Sequence, residues 1–294
     1  MSFLSYLING ISLGSVYAII ALGYTMVYGI AKMLNFAHGD VIMVGGFIIY
    51  TCMSSLGLSP ILSIAVAMIG CTVLGVTIER IAYRPLRNAG SPLAVLITAI
   101  GVSYLLQNLA LLIFCADTKS FQSVVGMEPI AVAGGQMMIS GETIVTILVS
   151  VVIMIALTTF VKYTKAGRAM VAVSEDRGAA QLMGVNVNGT IALTFAIGSG
   201  LAAVAGALLC SAYPALSPYV GSMPGIKAFV AAVFGGIGSI PGAMIGGILL
   251  GVIENLSKAY ISSQLSDAIV FSVLIVVLLV RPTGILGKNI QEKV

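Results

Sequence analysis

Asn35, His38 and Asp40 sit close together between two long apolar stretches. Side chains of these types can hold an ion, pass a proton or bond a polar solute. Polar, irregular backbone at membrane depth is tolerated where it lines a cavity or is buried in protein. The same residues also fit a structural duty, with Asp40 as the N-cap of the following helix and His38 bonded to a turn carbonyl. The two readings are compatible. A lone His is a poor metal-ligand set. Glu254 and Asn255 interrupt an otherwise apolar run, Ile-Gly-Gly-Ile-Leu-Leu-Gly-Val-Ile, so the acid should face the bundle or the membrane edge. Lys258 lies one helical turn on and is the expected partner of Glu254, a reading preferred to a proton relay.

A third polar group has a different character. Ser174 is expected to cap a helix whose first turn holds Glu175 and Asp176, favourable at the positive helix end. Arg177 follows. Ala179, Leu182 and Met183 would then form a small apolar face, with Ala179 and Ala180 allowing close approach and Gly184 stopping the helix. Such a helix either lies at a membrane interface or docks a soluble partner.

No enzyme chemistry is visible. The chain has no G-x-x-x-x-G-K-[ST] phosphate cradle, no Ser/His/Asp set, no zinc pattern and no clustered carboxylates. Its four cysteines, Cys52, Cys71, Cys115 and Cys210, are scattered through apolar segments and read as small buried hydrophobes.

The elements that position these groups are apolar to an extreme. Gly178 to Ile226 carries no charge, and after Lys227 neither does Ala228 to Ile253. A soluble surface must be solvated, so this pattern assigns the chain to the membrane. The 294 residues are 59% hydrophobic and 8% charged, with a mean hydropathy of +1.11. The net charge of +4 is too small, and too concentrated in loops, for nucleic acid.

The expected fold is an all-α polytopic membrane protein, a bundle of eight or nine transmembrane helices forming one domain over residues 1–294. Spans are predicted at Leu4–Ile30, Val41–Leu56, Ile61–Ile78, Leu93–Phe114, Thr143–Val161 and Thr190–Tyr213. Ile226–Ser239 is short and re-entrant in pattern. It breaks at Gly235-Gly236-Ile237-Gly238-Ser239-Ile240-Pro241-Gly242 and resumes as a helix to about Ile261, before a last apolar span at Ala268–Val280. The polar loop Asp117–Glu142 contains Gly134-Gly135 and is long enough for structure of its own. No cleaved signal is expected, because the first span begins almost at once without a basic leader. Gly10 and Gly14, Gly242 and Gly246, Gly247 and Gly251, and Ala202 and Gly206 are spaced for close helix contact.

Lys and Arg set the orientation. Arg80, Arg84 and Arg87 fall in one loop; Lys162, Lys165, Arg168 and Arg177 in another; Arg281, Lys288 and Lys293 in the tail. These read as cytoplasmic, with the C-terminus inside and Lys119 outside. Nine crossings would put the N-terminus outside; eight conflict with the charge pattern.

Several of these stretches resemble one family. Leu34-Asn35-Phe36-Ala37-His38-Gly39-Asp40 looks like the N-terminal signature of the permeases of bacterial branched-chain amino-acid ABC importers. Ala18–Gly29, Gly225-Ile226-Lys227-Ala228-Phe229 and the Gly235–Gly247 stretch are similar to that family too, so the resemblance covers nearly the whole chain. Glu175 to Gly184 resembles the Glu-Ala-Ala…Gly loop through which such permeases meet their ATPases, with Asp176-Arg177-Gly178 intervening before Ala179-Ala180. The resemblance implies a coupling loop at about residues 162–189, with Glu175, Asp176, Arg177, Ala179, Ala180 and Gly184 facing an ATPase. It implies a second permease subunit, two ATP-binding subunits carrying ATP and Mg, and an extracytoplasmic amino-acid-binding protein, with this chain in the bacterial inner membrane in contact with lipid. No cofactor is expected on this chain. The solute would cross a mostly apolar cavity. Its zwitterionic ends would be met at Asn35, His38, Gly39 and Asp40 and at Gly235, Gly236 and Gly238. The rival reading is a secondary transporter in which Asp40, Glu254 or Asp267 carries a coupling ion.

Overall fold

A computed structural model describes residues 2–88, 92–132 and 137–287. Gly134-Gly135 and the tail residues Lys288 and Lys293 lie outside the described residues.

The chain is helical almost throughout. Helix α1 (Ser2–Ala31) leads through an extended stretch into α2 (His38–Ser54). Helix α3 (Pro60–Ile78) begins on a proline, whose missing N–H costs nothing at a first helical position. It runs on through a π-helical turn at Glu79–Tyr83 and a 3-10 turn at Pro85–Asn88. Helices α4 (Pro92–Phe114) and α5 (Gly141–Tyr163) are followed by two short ones, α6 (Lys165–Glu175) and α7 (Arg177–Leu182). Then come α8 (Val187–Ala212), α9 (Ser222–Gly235), α10 (Ile240–Tyr260) and α11 (Ser266–Val280).

Among the described residues, six helices are long and apolar enough to cross a membrane: those at Phe3–Ala31, Pro60–Tyr83, Leu93–Phe114, Gly141–Tyr163, Val187–Ala212 and Ile240–Tyr260. Helices α2, α9 and α11 are shorter, at 17, 14 and 15 residues. Six of the expected eight or nine spans have full-length helices among the described residues; α2, α9 and α11 are apolar but shorter. The shortness has a cause in the chain, because α2 and α9 are each entered through non-helical backbone rather than by extending the helix.

The polar loop after α4 does hold structure of its own. Strand β1 (Lys119–Ser120) pairs antiparallel with β4 (Ala215–Leu216), which follows α8. Between them in sequence, β2 (Ile130–Val132) and β3 (Met137–Ile139) form a hairpin. The first pairing fixes the far ends of α4 and α8 on one face.

The packed centre is α1, α2, α8, α9 and α10, where Ile19, Ile20, Leu22, Ile42, Met43, Ile49, Phe195 and Ala231 are almost fully buried. In lipid, close approach replaces hydrophobic drive, and small residues permit it. Helices α1 and α10 run antiparallel along such a seam. A Cβ on Gly14 would lie 2.6 Å from Ile248 Cα, one on Gly10 2.9 Å from Val252 Cα, and one on Gly247 2.5 Å from Ala18 Cα. The spacing that predicts tight contact is thus occupied by a helix pair. Helices α3, α4 and α5 form the periphery and expose large apolar side chains such as Ile61, Ile69, Leu112, Ile113 and Val152.

Candidate functional site

Lys32, at the end of α1, has a φ of 52°, and it turns the chain out of the helix. The following extended residues lead to α2, and Asn35, His38 and Asp40 are all buried, at 3%, 1% and 2% exposure. Each is held differently. The Tyr83 hydroxyl donates to Asn35 Oδ1 at 3.0 Å, tying the break to the π-helical turn after α3. The His38 ring stands edge-on to Tyr24 at 4.7 Å between centroids. It also fills the space beside Gly23, where an added Cβ would lie 2.6 Å from His38 Cε1. His38 Nε2 has no hydrogen-bond partner among the described residues, so the expected bond to a turn carbonyl is not at that atom. Gln107 Nε2 donates to Asp40 Oδ1 at 2.8 Å.

Asp40 is not the N-cap. Ala37 holds that position without a side-chain bond, and Asp40 lies in the first turn, where its charge still faces the positive helix end. Gln107 reaches further, to Ser222 Oγ at 3.4 Å, at the start of α9. There the two interrupted helices meet: a Cβ on Gly39 would lie 2.6 Å from the Gly221 carbonyl, and one on Gly225 2.9 Å from Gly39 Cα. Gly39 therefore sits in a backbone crossing, with the first turns of α2 and α9 side by side and Gln107 joining them. Gln107 and Tyr83 were not predicted from sequence. A carboxamide inside the apolar span α4 was the available signal for the first.

The Gly235–Gly242 break is real, with Gly236 at φ 102° and Gly238 at φ 94°. Only glycine adopts such angles freely. Carbonyls at its start are already bonded: Phe234 O and Gly235 O accept from Ile285 N and Leu286 N, each at 3.0 Å, and Gly236 O accepts from Ser239 N. The chain after α11 thus caps α9. Between this break and the first lies a narrow slot lined by Tyr24, Tyr28, Leu34, Asn35, Phe229 and Ile237. It is aromatic and apolar, with Asn35 as its polar wall.

Glu254 has its predicted partner, Lys258 Nζ at 2.6 Å, but that pair is one edge of a larger cluster. Lys227 Nζ lies 2.8 Å from Glu254 Oε1 and 2.7 Å from Asp267 Oδ1. Tyr17 donates to Glu254 Oε2 at 2.9 Å. Two cations and two carboxylates thus compensate one another where α1, α9, α10 and α11 meet. Compensation of this kind is what lets charge persist inside a membrane bundle.

The segment from Tyr163 to Asn188 is built from caps. Thr164 Oγ1 accepts from Gly167 N at 2.9 Å and starts α6. Asp176 Oδ1 accepts from Ala179 N at 2.9 Å and starts α7. The expected cap, Ser174, is instead the penultimate residue of α6, its hydroxyl bonded back to Val171 O, and Glu175 ends that helix. Two helices stand where one was predicted, because Asp176 is extended at φ −152°, ψ 115°. Gly184 does stop the turn, at φ 83°. Ala180 is turned inward at 4% exposure, whereas Leu182 and Met183 are 90% and 84% exposed. Arg177 reaches the Ala31 carbonyl at the end of α1, and Arg87 bonds Asn188. The arginine loop, this segment and the end of α1 therefore share one face, opposite the β1–β4 pair.

No group of three or more His, Cys, Asp or Glu among the described residues is placed to hold a metal. Most of these polar groups bond one another or backbone, His38 Nε2 being an exception among the described residues, and together they form helix junctions.

A family model for the permease component of the branched-chain amino acid transport system matches residues 6–278. The chain is 47% identical over 302 residues to the high-affinity branched-chain amino acid transport system permease protein LivH of Salmonella typhimurium, covering 99% of this chain and 98% of the relative. It is 46% identical over 302 residues to LivH of Escherichia coli, with the same coverage. It is 46% identical over 305 residues to the permease protein BraD of Pseudomonas aeruginosa, again over 99% and 98% of the two chains.

Proposed function

The chain belongs to the family of branched-chain amino acid transport system permease components, and from that premise we propose how it works. It is a permease subunit of an ATP-driven importer that passes leucine, isoleucine, valine or close relatives across the bacterial inner membrane. It works with a second permease, two ATP-binding subunits and an extracytoplasmic binding protein, and ATP and Mg are handled by the ATPases. The rival, an ion-coupled secondary transporter, is not favoured by the family match, and of its three candidate carriers Glu254 and Asp267 are already neutralised by Lys227 and Lys258 while Asp40 is bonded by Gln107.

The observation that carries the coupling reading is α7. It is a single capped turn and a half that leaves Leu182 and Met183 almost wholly exposed. A helix this short is marginal in water by itself, so its exposed apolar end calls for a protein groove. Ala180, which packs inward, holds α7 in place, and Gln181, Leu182 and Met183 carry the contact.

Nine passes fit the chain, with the N-terminus outside and the C-terminus inside. Helix α9 runs from the Gly221 crossing down to the Gly235–Gly242 break, so it counts as a pass despite its length. The slot between the two breaks is too narrow here to admit a water, so the solute passes only once it widens, its aliphatic side chain then against Tyr24, Tyr28 and Phe229. Asn35 and the first turns of α2 and α9 meet its polar ends.

Uptake of radiolabelled leucine by the reconstituted complex tests the reading. Uptake should require ATP and survive collapse of the proton and sodium gradients. Gradient-driven uptake by this chain alone would overturn it.

A further inference from the structure

On the face that carries α7, a cavity of about 340 Å³ opens between the arginine loop and the start of α8. Its walls include Arg87, Arg177, Gln181, Asn186 and Asn188. No carboxylate lines it. Arg87 is the central group. Its side chain is 7% exposed, it pairs with the buried Glu79, and its Nη1 donates to Asn188 Oδ1 at 2.7 Å. Its Nε has no partner among the described residues. A buried donor left unmade is costly. Burial first, and the neighbouring Arg177 guanidinium second, push Arg87 down to about 10.

The backbone adds to this. Helix α8 is 26 residues long and begins at the cavity. Asn186 Oδ1 satisfies Gly189 N at 3.0 Å. The N–H groups of Val187 and Asn188 remain in the first turn, where no intrahelical acceptor exists. Aligned peptide dipoles make such an end positive. An adjoining cavity shares Asn186 and Asn188 and brings Arg80 and Arg84 alongside, with Glu79, the carboxylate paired to Arg87, also in its wall.

We propose that this cavity binds a phosphate group, carried either by an anionic lipid headgroup or by a soluble phosphate, held by Arg87, Arg177 and the first turn of α8. Arg87 offers its unpartnered Nε–H and Arg177 the donors not bonded to Ala31 O, charge-assisted donors that phosphate oxygens accept. Since Arg177 begins α7 and Gln181 lies on it, an occupied cavity braces the proposed docking helix against the arginine loop. The site is independent of the transport reading, because binding can be measured without transport.

The test uses the full chain in nanodiscs of phosphatidylcholine, with and without phosphatidylglycerol, and inorganic phosphate titrated into the phosphatidylcholine discs. Native mass spectrometry reads retained lipid, and thermal unfolding reads stabilisation. The informative variant is Asn188→Asp, which keeps an acceptor for Arg87 and places a carboxylate in the cavity. Arg177→Gln is the second variant and decides the matter if the first does not fold. Wild-type protein should retain phosphatidylglycerol or be stabilised by phosphate, and each variant should bind about tenfold more weakly. Retention of lipid without a response to free phosphate identifies a headgroup; stabilisation by phosphate in phosphatidylcholine identifies a soluble ligand. Wild type that responds to neither, or variants that respond as wild type does, would overturn the proposal.

Discussion

Lys227 and Glu254 lie 27 residues apart in sequence and 2.8 Å apart inside the bundle, joining the second turn of α9 to the last two turns of α10. Asp267 holds the same ammonium from α11 at 2.7 Å. Removing one partner of a buried pair strands a charge, at about 3–5 kcal/mol, whereas removing all partners can be nearly neutral. Asp267→Asn should therefore cost little, because its side chain is 43% exposed and Glu254 remains. Glu254→Gln should cost about 3 kcal/mol. The double variant should lose more than the sum, since each carboxylate covers for the other. Adding Lys227→Met should restore much of the loss. Thermal unfolding in one detergent across the four variants measures this, and additive losses with no rescue would show that the cluster is not a unit.

The α1–α10 seam makes a second prediction. A side chain on Gly251 would overlap the Gly14 backbone, and backbone gives way less readily than a side chain. Gly251→Leu should cost more than the 1–3 kcal/mol of ordinary overpacking and yield aggregated protein on size exclusion. Gly101→Ala, on a helix face with nothing within 4 Å, should be neutral or slightly stabilising. Equal behaviour of the two variants would contradict the seam.

Most spans were legible because apolar length is written directly in the chain, and the Glu254–Lys258 pair because helical spacing fixes it. The two interrupted helices were legible as breaks, but not what each break meets. The crossing of Gly39 with Gly221 depends on backbones distant in sequence, and no local pattern encodes it. The same holds for Gln107 on Asp40 and Lys227 on Asp267. The sequence offers two good caps for α7 two residues apart, Ser174 and Asp176. The choice went to Asp176, where the chain extends, leaving Ser174 inside α6.

Gln107 bridges Asp40 and Ser222 across the two half-helix starts, so its loss should be felt in transport before folding. Gln107→Leu leaves the Asp40 carboxylate without its amide donor, at a cost of about 1–3 kcal/mol. Gln107→Glu keeps the shape but sets two acids together. In reconstituted complex, Gln107→Leu should slow leucine uptake several-fold while ATPase association stays normal, and Gln107→Glu should be worse at neutral than at acid pH. Unchanged uptake in both would remove Asp40 and Gln107 from the pathway.

Labelling tests the faces. With the native cysteines replaced, Arg84→Cys and Arg168→Cys should react with an impermeant thiol reagent only from the cytoplasmic side, and Lys119→Cys only from outside. Structural links already group Arg87 with Asn188 and Arg177 with Ala31, while Lys119 pairs with Leu216 on the far side. Reaction of positions 84 and 119 from the same side would break that grouping.

Leu182 and Met183 decide the coupling question. A large charged residue at Ala180 would damage the fold, because that side chain is buried; the exposed pair can be changed without touching the core. Leu182→Glu with Met183→Glu removes the apolar contact and leaves the Asp176 cap and the Gly184 turn intact. Two fully desolvated side chains of this size contribute about 1.5–3 kcal/mol each, so ATPase association should weaken by at least tenfold. Thermal stability of the isolated permease should not change. Asp176→Ala gives the complementary case: α7 loses about 1 kcal/mol of capping, frays, and couples less well, with the apolar pair still present. If the double glutamate variant binds ATPase and drives solute-stimulated hydrolysis at the wild-type rate, α7 is not the contact and the partner docks elsewhere on this face.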